Sequence, residues 1–186
     1  DAGFGAGSGY VILHSAIPVV PSEIPGGTLT APLVYIGSGG PAVLGQIDVA
    51  GKIAVQLTVP QGHMLFERGA VTSQAQELFR RGAVAVLTLL RLPGNERGRD
   101  FSNCGGPCFN IGGRDGWFVE SVLNEAARRK AGTPVRAQLT LTAETRRGLV
   151  AHNAVAIIPG RPPDETVLID AHADAWFDGA GDNADG

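Results

Sequence analysis

The run AHADAWFDGAGDNADG at residues 171–186 places one imidazole and several carboxylates among glycines. His172 is followed two residues on by Asp174 and ten residues on by Asp182, with Asp178 and Asp185 adding further acids. Imidazole nitrogen and carboxylate oxygen are ligands that Zn²⁺ accepts in catalytic sites. Gly179, Gly181 and Gly186 let the backbone fold back on itself. A loop of that kind can bring His172 and Asp182 to a common ion, with Asp174 orienting a ligand from behind. The same residue types also describe an acidic surface loop with one incidental histidine, and residue types alone leave both readings open. Calcium is a further possibility for an Asp-rich glycine loop, but the EF-hand spacing with its terminal Glu is absent.

No other constellation competes. His14, His63 and His152 lie far apart and have no neighbour at ligand spacing. No G-x-S-x-G elbow occurs, which removes serine hydrolases of that type. Cys104 and Cys108, the only cysteines, have no identifiable base beside them. A pair this close either bridges a tight Gly-Pro turn in an oxidising compartment or remains as two thiols. The formal net charge of −3 lacks the clustered basic excess of a nucleic-acid surface. The basic cluster Arg128-Arg129-Lys130 suits a helix end, where cations offset the macrodipole. No apolar run reaches the ~18–20 residues of a membrane span. No leader pattern is visible, since Asp1 runs straight into a glycine-rich stretch.

The metal-type loop must be held by something, and the chain offers strands. At 44% apolar residues over 186 positions, a core can form and one domain plus part of another can be accommodated. Residues 1–9 have the composition of a flexible lead-in, and the prolines of 17–32 suit an extended connector or edge strands. Leu33 to Ile36 is a short apolar run. Lys52 to Val59 predicts a strand, followed by a helix capped by Thr72 or Ser73 and stopped by Gly82. Ala83 to Leu90 is continuously apolar, as expected of a strand buried on both faces. Residues 93–107 read as an exposed loop and Cys108 to Ile111 as a short strand. A second helix is expected from Asp115 to Lys130, stopped by Gly132, with Phe118, Val119, Val122, Leu123 and Ala126 on its core face. Val135 to Thr142 alternates as a half-buried strand does. His152 to Ile158 and Thr166 to Ala171 read as two further strands, joined by the Pro-rich PGRPPDE, that lead into His172.

The pattern H-x-D-x-W…G-A-x-D-N-x-x-G at His172, Asp174, Trp176, Gly179, Ala180, Asp182, Asn183 and Gly186 resembles the co-catalytic metal motif of the M28 zinc peptidases, which include aminopeptidases and glutamate-carboxypeptidase-like enzymes. HNAVAIIPG at 152–160 and DETVLIDAH at 164–172 resemble the two strands before that motif. Residues 33–145 resemble the protease-associated (PA) domain inserted in many members, through D-V-x-G-K-I at Asp48–Ile53 and the A-x(3)-F-x(2)-G-A-x-A-V pattern at Ala75–Val86. The likeness thus runs over most of the chain after about residue 30. The metal motif is its more specific part, since the PA pattern consists mainly of hydrophobic spacing and glycines. Ala175 and Asp185 stand where the family often has Ser; neither is a ligand position.

The resemblance implies a terminal zinc ligand at His172, a carboxylate bridging two zincs at Asp182, and Asp174 holding the His172 ring. Two zincs sharing a water would acidify it and polarise a peptide carbonyl. The family's adjacent Glu-Glu pair and its later Asp and His ligands are not found in these 186 residues. The expectation is therefore the N-terminal part of a dizinc exopeptidase, inactive as this chain alone, with peptide as substrate and possible self-association through exposed apolar edges. Three segments are expected: a lead-in over 1–32, a PA domain over 33–145 and the start of a peptidase domain over 146–186. The fold expected is mixed α/β (α+β), a PA-type β-sandwich or open barrel with two flanking helices plus the first peptidase strands. An extracellular or periplasmic location follows from the same family. The rival expectation is a non-catalytic PA-type module that binds protein or peptide.

Overall fold

The computed structural model describes residues 10–58, 69–96, 98, 103–130, 132–158 and 167–169. Two adjacent strands set its centre. β3 (Ile53–Thr58) and β4 (Ala85–Leu90) run parallel in register, Ile53 opposite Ala85 and Thr58 opposite Leu90. Every residue of β4 is buried, as its unbroken apolar sequence requires. β2 (Thr28–Gly37) pairs parallel with β3, and β5 (Cys108–Ile111) pairs parallel with β4. The edges are antiparallel: β1 (Ile17–Pro18) on β5, and β6 (Arg136–Thr140) on β2. The result is one six-stranded sheet in the order β1-β5-β4-β3-β2-β6.

Because strand side chains alternate between faces, the sheet carries two cores. Ile36, Ala54, Val86 and Cys108 point to one face, where Ala75 and Leu78 of α2 (Gly69–Arg80) cover them. Leu44, from the short α1 (Pro41–Leu44), joins the same cluster. Ile53, Val55, Leu87, Leu89, Phe109 and Ile111 point to the other face, against Val119 and Leu123 of α3 (Gly113–Arg128). Ala137 and Leu139 of β6 extend that second core, and the alternation along β6 matches the pattern of its sequence.

The expected α+β class, with two longer helices flanking a sheet, is what the structure has. Several bounds differ. β2 begins at Thr28 rather than Leu33, passing through Pro32 beside the antiparallel edge strand β6. The helix α2 begins at Gly69, so Thr72 and Ser73 lie inside it and not at its cap. Its end is as expected. Gly82 takes φ +89°, and the N–H groups of Ala83 and Gly82 donate back to the carbonyls of Leu78 (3.0 Å) and Phe79 (2.9 Å). That left-handed stop satisfies carbonyls the helix would otherwise orphan. α3 ends earlier than Gly132, at Arg128, with Lys130 in the left-handed region at φ +50°. Residues 152–158, expected as a strand, carry no regular structure, and neither do 167–169; both are exposed. A strand persists only where its backbone groups find a partner, and none of the sheet's strands pairs with either segment.

The loop before β5 is not wholly exposed as expected. Cys104 is 3% exposed and Cys108 2%, and the two form a disulfide.

α3 is also clamped to the sheet by charge. Glu120 accepts from the Tyr35 hydroxyl of β2 (2.5 Å) and pairs with the Arg91 guanidinium just after β4. Burial, and then the adjoining Glu120 carboxylate, push the Tyr35 phenol up to about 12 from 10.0. Its protonated form is the one the fold favours, so the stabilisation is fully present below pH 10 and is lost as pH rises through about 12.

These contacts set three expected outcomes. Glu120→Ala should lower the unfolding free energy by about 1–3 kcal/mol in urea titration, because it strands a half-buried guanidinium. Glu144→Ala, which breaks an exposed pair with Arg146, should change it by no more than about 0.5 kcal/mol. Reducing the disulfide should cost on the order of 2 kcal/mol, the loop entropy of so short a ring, read as the shift between urea curves with and without a dithiol. Equal losses from both glutamate variants, or superimposable curves, would contradict these readings.

Candidate functional site

Within the apolar strands, three polar side chains stand in one row. Gln56 of β3 is opposite Thr88 of β4, and Thr88 is opposite Asn110 of β5. All three are buried, at 1%, 4% and 2% exposure. They point to the α2 face, near the carboxyl ends of the parallel strands, where loops of α/β sheets commonly build sites. Gln56 Nε2 donates to Thr88 Oγ1 (2.8 Å), and Gln74 Nε2 of α2 donates to Gln56 Oε1 (3.0 Å). Gln74 Oε1 in turn accepts from the Gly40 backbone N–H (3.2 Å), and Asn110 Nδ2 donates to the Gly98 carbonyl (2.7 Å). Amides and a hydroxyl carry no charge at neutral pH, and each is satisfied here. The row ties the turn after β2, the helix α2 and the loop after β4 to the sheet; it supplies no acid, base or nucleophile. The sequence analysis does not single it out, although its signal is present as a polar residue within each of three mostly apolar strands.

A second polar knot anchors the start of α3. Ser15 donates from its backbone N–H (2.9 Å) and its hydroxyl (2.8 Å) to Asp115 Oδ2. The Ser15 oxygen accepts from the Gly112 N–H (2.9 Å), and Asn95 Oδ1 accepts from the Asp115 N–H (3.0 Å). Gly112, the N-cap, has no side-chain oxygen of its own, so Ser15 and Asn95 supply the missing acceptors from elsewhere in the chain. Burial alone would raise the Asp115 carboxyl, but hydrogen bonds from Ser15 and Asn95 outweigh it and hold the group below its usual range. A negative charge there also suits the helix dipole. Glycine is required at Gly113, where a Cβ would lie 1.9 Å from the Leu92 carbonyl oxygen.

The metal-type residues His172, Asp174 and Asp182, and His63, lie outside the described residues. His152 is exposed. Among the described residues no three His, Cys, Asp or Glu side chains stand close enough to hold a metal, and no helix is long and apolar enough to cross a membrane. The chemistry of the donor pair suits zinc: one imidazole and one carboxylate. A catalytic zinc takes three protein ligands and a water, so these two donors by themselves do not make a complete set.

No family model matches the chain, and no curated protein matches it either. Solved structures do. An aminopeptidase from Aneurinibacillus sp. strain AM-1 is similar at 22% identity and a TM-score of 0.48, over 67% of this chain and 27% of that one. BSAP, a zinc aminopeptidase from Bacillus subtilis, is similar at 23% identity and a TM-score of 0.40, over 56% of this chain and 25% of that one. The matched region thus amounts to about a quarter of the length of either aminopeptidase.

Proposed function

We propose that this chain carries part of a dizinc exopeptidase: His172 as a terminal ligand, Asp182 as the carboxylate shared between two ions, and Asp174 as the group that holds the His172 ring. The observation that carries this reading is the spacing H-x-D-x-W…G-A-x-D-N-x-x-G over residues 172–186. One imidazole and one carboxylate, brought together by a loop with glycine at positions 179 and 181, match the donor types of a catalytic zinc. When bound, a zinc pair would supply an acidified water and a polarised carbonyl. The chain's own part is to present two donors and to fix the tautomer of one. His172 offers one ring nitrogen to the ion, and Asp174 accepts from the other, which orients the ring and raises its basicity.

The sheet domain is assigned an accessory role. Its buried polar row holds the fold, and shaping access for a peptide is the part it would play. The buried disulfide supports an oxidising location, extracellular or periplasmic.

A competition titration of the full chain with a chromophoric zinc chelator tests the donor pair. Wild type should bind zinc weakly, and His172→Ala and Asp182→Ala should each weaken it by tenfold or more, with Asp174→Asn falling between. The chain by itself should release no amino acid from a peptide even at saturating zinc, since two protein ligands do not assemble a catalytic site. Equal affinity in wild type and both alanine variants would mean that the loop is acidic surface and no metal loop.

A further inference from the structure

Arg146 and Arg147 stand side by side in the run ETRRGLV. Residues 142–158 are exposed throughout and carry neither helix nor strand. The chain divides into two compact units at this point, Asp1–Arg147 and Gly148–Gly186. Among the described residues, all six strands, all three helices and the disulfide precede the division.

An endopeptidase binds its substrate as an extended strand, so it needs several residues on both sides of the cut free of helix and sheet. The other basic residues among the described ones do not offer that. Lys52 adjoins β3 and pairs with Asp48; Arg80 and Arg81 sit at the end of α2 and pair with Glu77. Arg91 is clamped by Glu120, Arg114 lies within α3, and Arg136 lies within β6. Arg128 and Arg129 both pair with Glu125 at the end of α3, and Lys130 sits in the turn that closes it, its N–H donating to the Ala127 carbonyl (3.1 Å). Cutting at any of these requires local unfolding first, and its free energy slows the reaction. Arg146 is restrained only by Glu144, at 70% and 69% side-chain exposure, a pair that holds little. The one backbone tether nearby is the Thr145 N–H to Glu23 Oε1 bond (2.8 Å), itself exposed. Gly148, which would follow the cut, carries no side chain to obstruct a protease.

We propose that Arg147–Gly148 is a processing site for a serine endopeptidase with an acidic specificity pocket. Water adds across that peptide bond, leaving a carboxylate on Arg147 and an amino group on Gly148. The first product keeps the complete sheet, both cores and the disulfide, and the second carries residues 148–186. The inference rests on the exposure and position of the dibasic pair and is independent of the metal-loop reading.

The test is limited digestion of the full chain with a trace of trypsin, followed over time by intact mass and N-terminal sequencing. The earliest new N-terminus should be Gly148, or Arg147 where the enzyme cuts one bond earlier. The double variant Arg146→Gln/Arg147→Gln should slow cutting between residues 142 and 158 by roughly tenfold or more, because the other basic sites among the described residues need an opening step. The 1–147 product should keep the near-ultraviolet dichroism and thermal midpoint of the sheet unit. An earliest cut at Arg128, Arg129 or Lys130, an unchanged rate of cutting between residues 142 and 158 in the double variant, or an unfolded 1–147 product would each overturn the proposal.

Discussion

The parallel pairing of β3 with β4 is the constraint from which the rest of the sheet unit follows. Ile53, Ala54 and Val55 on one strand and Ala85 to Leu90 on the other leave no face that tolerates water. Each side chain of this size, once buried, contributes about 1.5–3 kcal/mol, so both faces of the pair must be covered. A parallel pair cannot be joined by a tight turn, and the crossover that joins it supplies the cover on one side as α2. The other face is covered only when the chain passes β5 and returns as α3, which explains why the last strand, β6, pairs at the opposite edge beside β2. The polar row Gln56–Thr88–Asn110 sits where this packing would otherwise be apolar, and its members satisfy one another and their neighbours. Buried polar groups of this kind fix register, since a slip of one residue would move each of them to the wrong face.

Much of this was readable from pattern. The continuously apolar AVAVLTLL, the alternation of Val135 to Thr142 and the glycine stop at Gly82 each rest on local sequence, and each has its counterpart in β4, β6 and the end of α2. What pattern missed depends on distant partners. The start of β2 at Thr28 is set by pairing with β6, more than a hundred residues on. The cap of α3 comes from Ser15 and Asn95, which no window around Gly112 contains. The disulfide was open on sequence because its geometry belongs to the folded loop; Cys104 and Cys108 meet once β5 is in place. The apolar stretch at 152–158 shows the converse. Its composition is that of a strand, and without a partner among the sheet's strands it is not one.

The proposed metal site rests on the sequence. His172, Asp174 and Asp182 were singled out by residue type and spacing, and the family resemblance assigned them roles. Among the described residues, the sheet unit offers no metal-type cluster of its own. Division of labour is the account we propose: a sheet unit closed by its own cores and disulfide, followed by a segment to which His172, Asp174 and Asp182 would bring the chemistry.

The coordination shell of zinc added to the full chain tests that account most directly. X-ray absorption at the zinc edge, with less than one equivalent of metal per chain, should report imidazole scattering together with carboxylate oxygen, and the imidazole signal should vanish in His172→Ala. A shell of water oxygens alone, unaltered by that substitution, would contradict it.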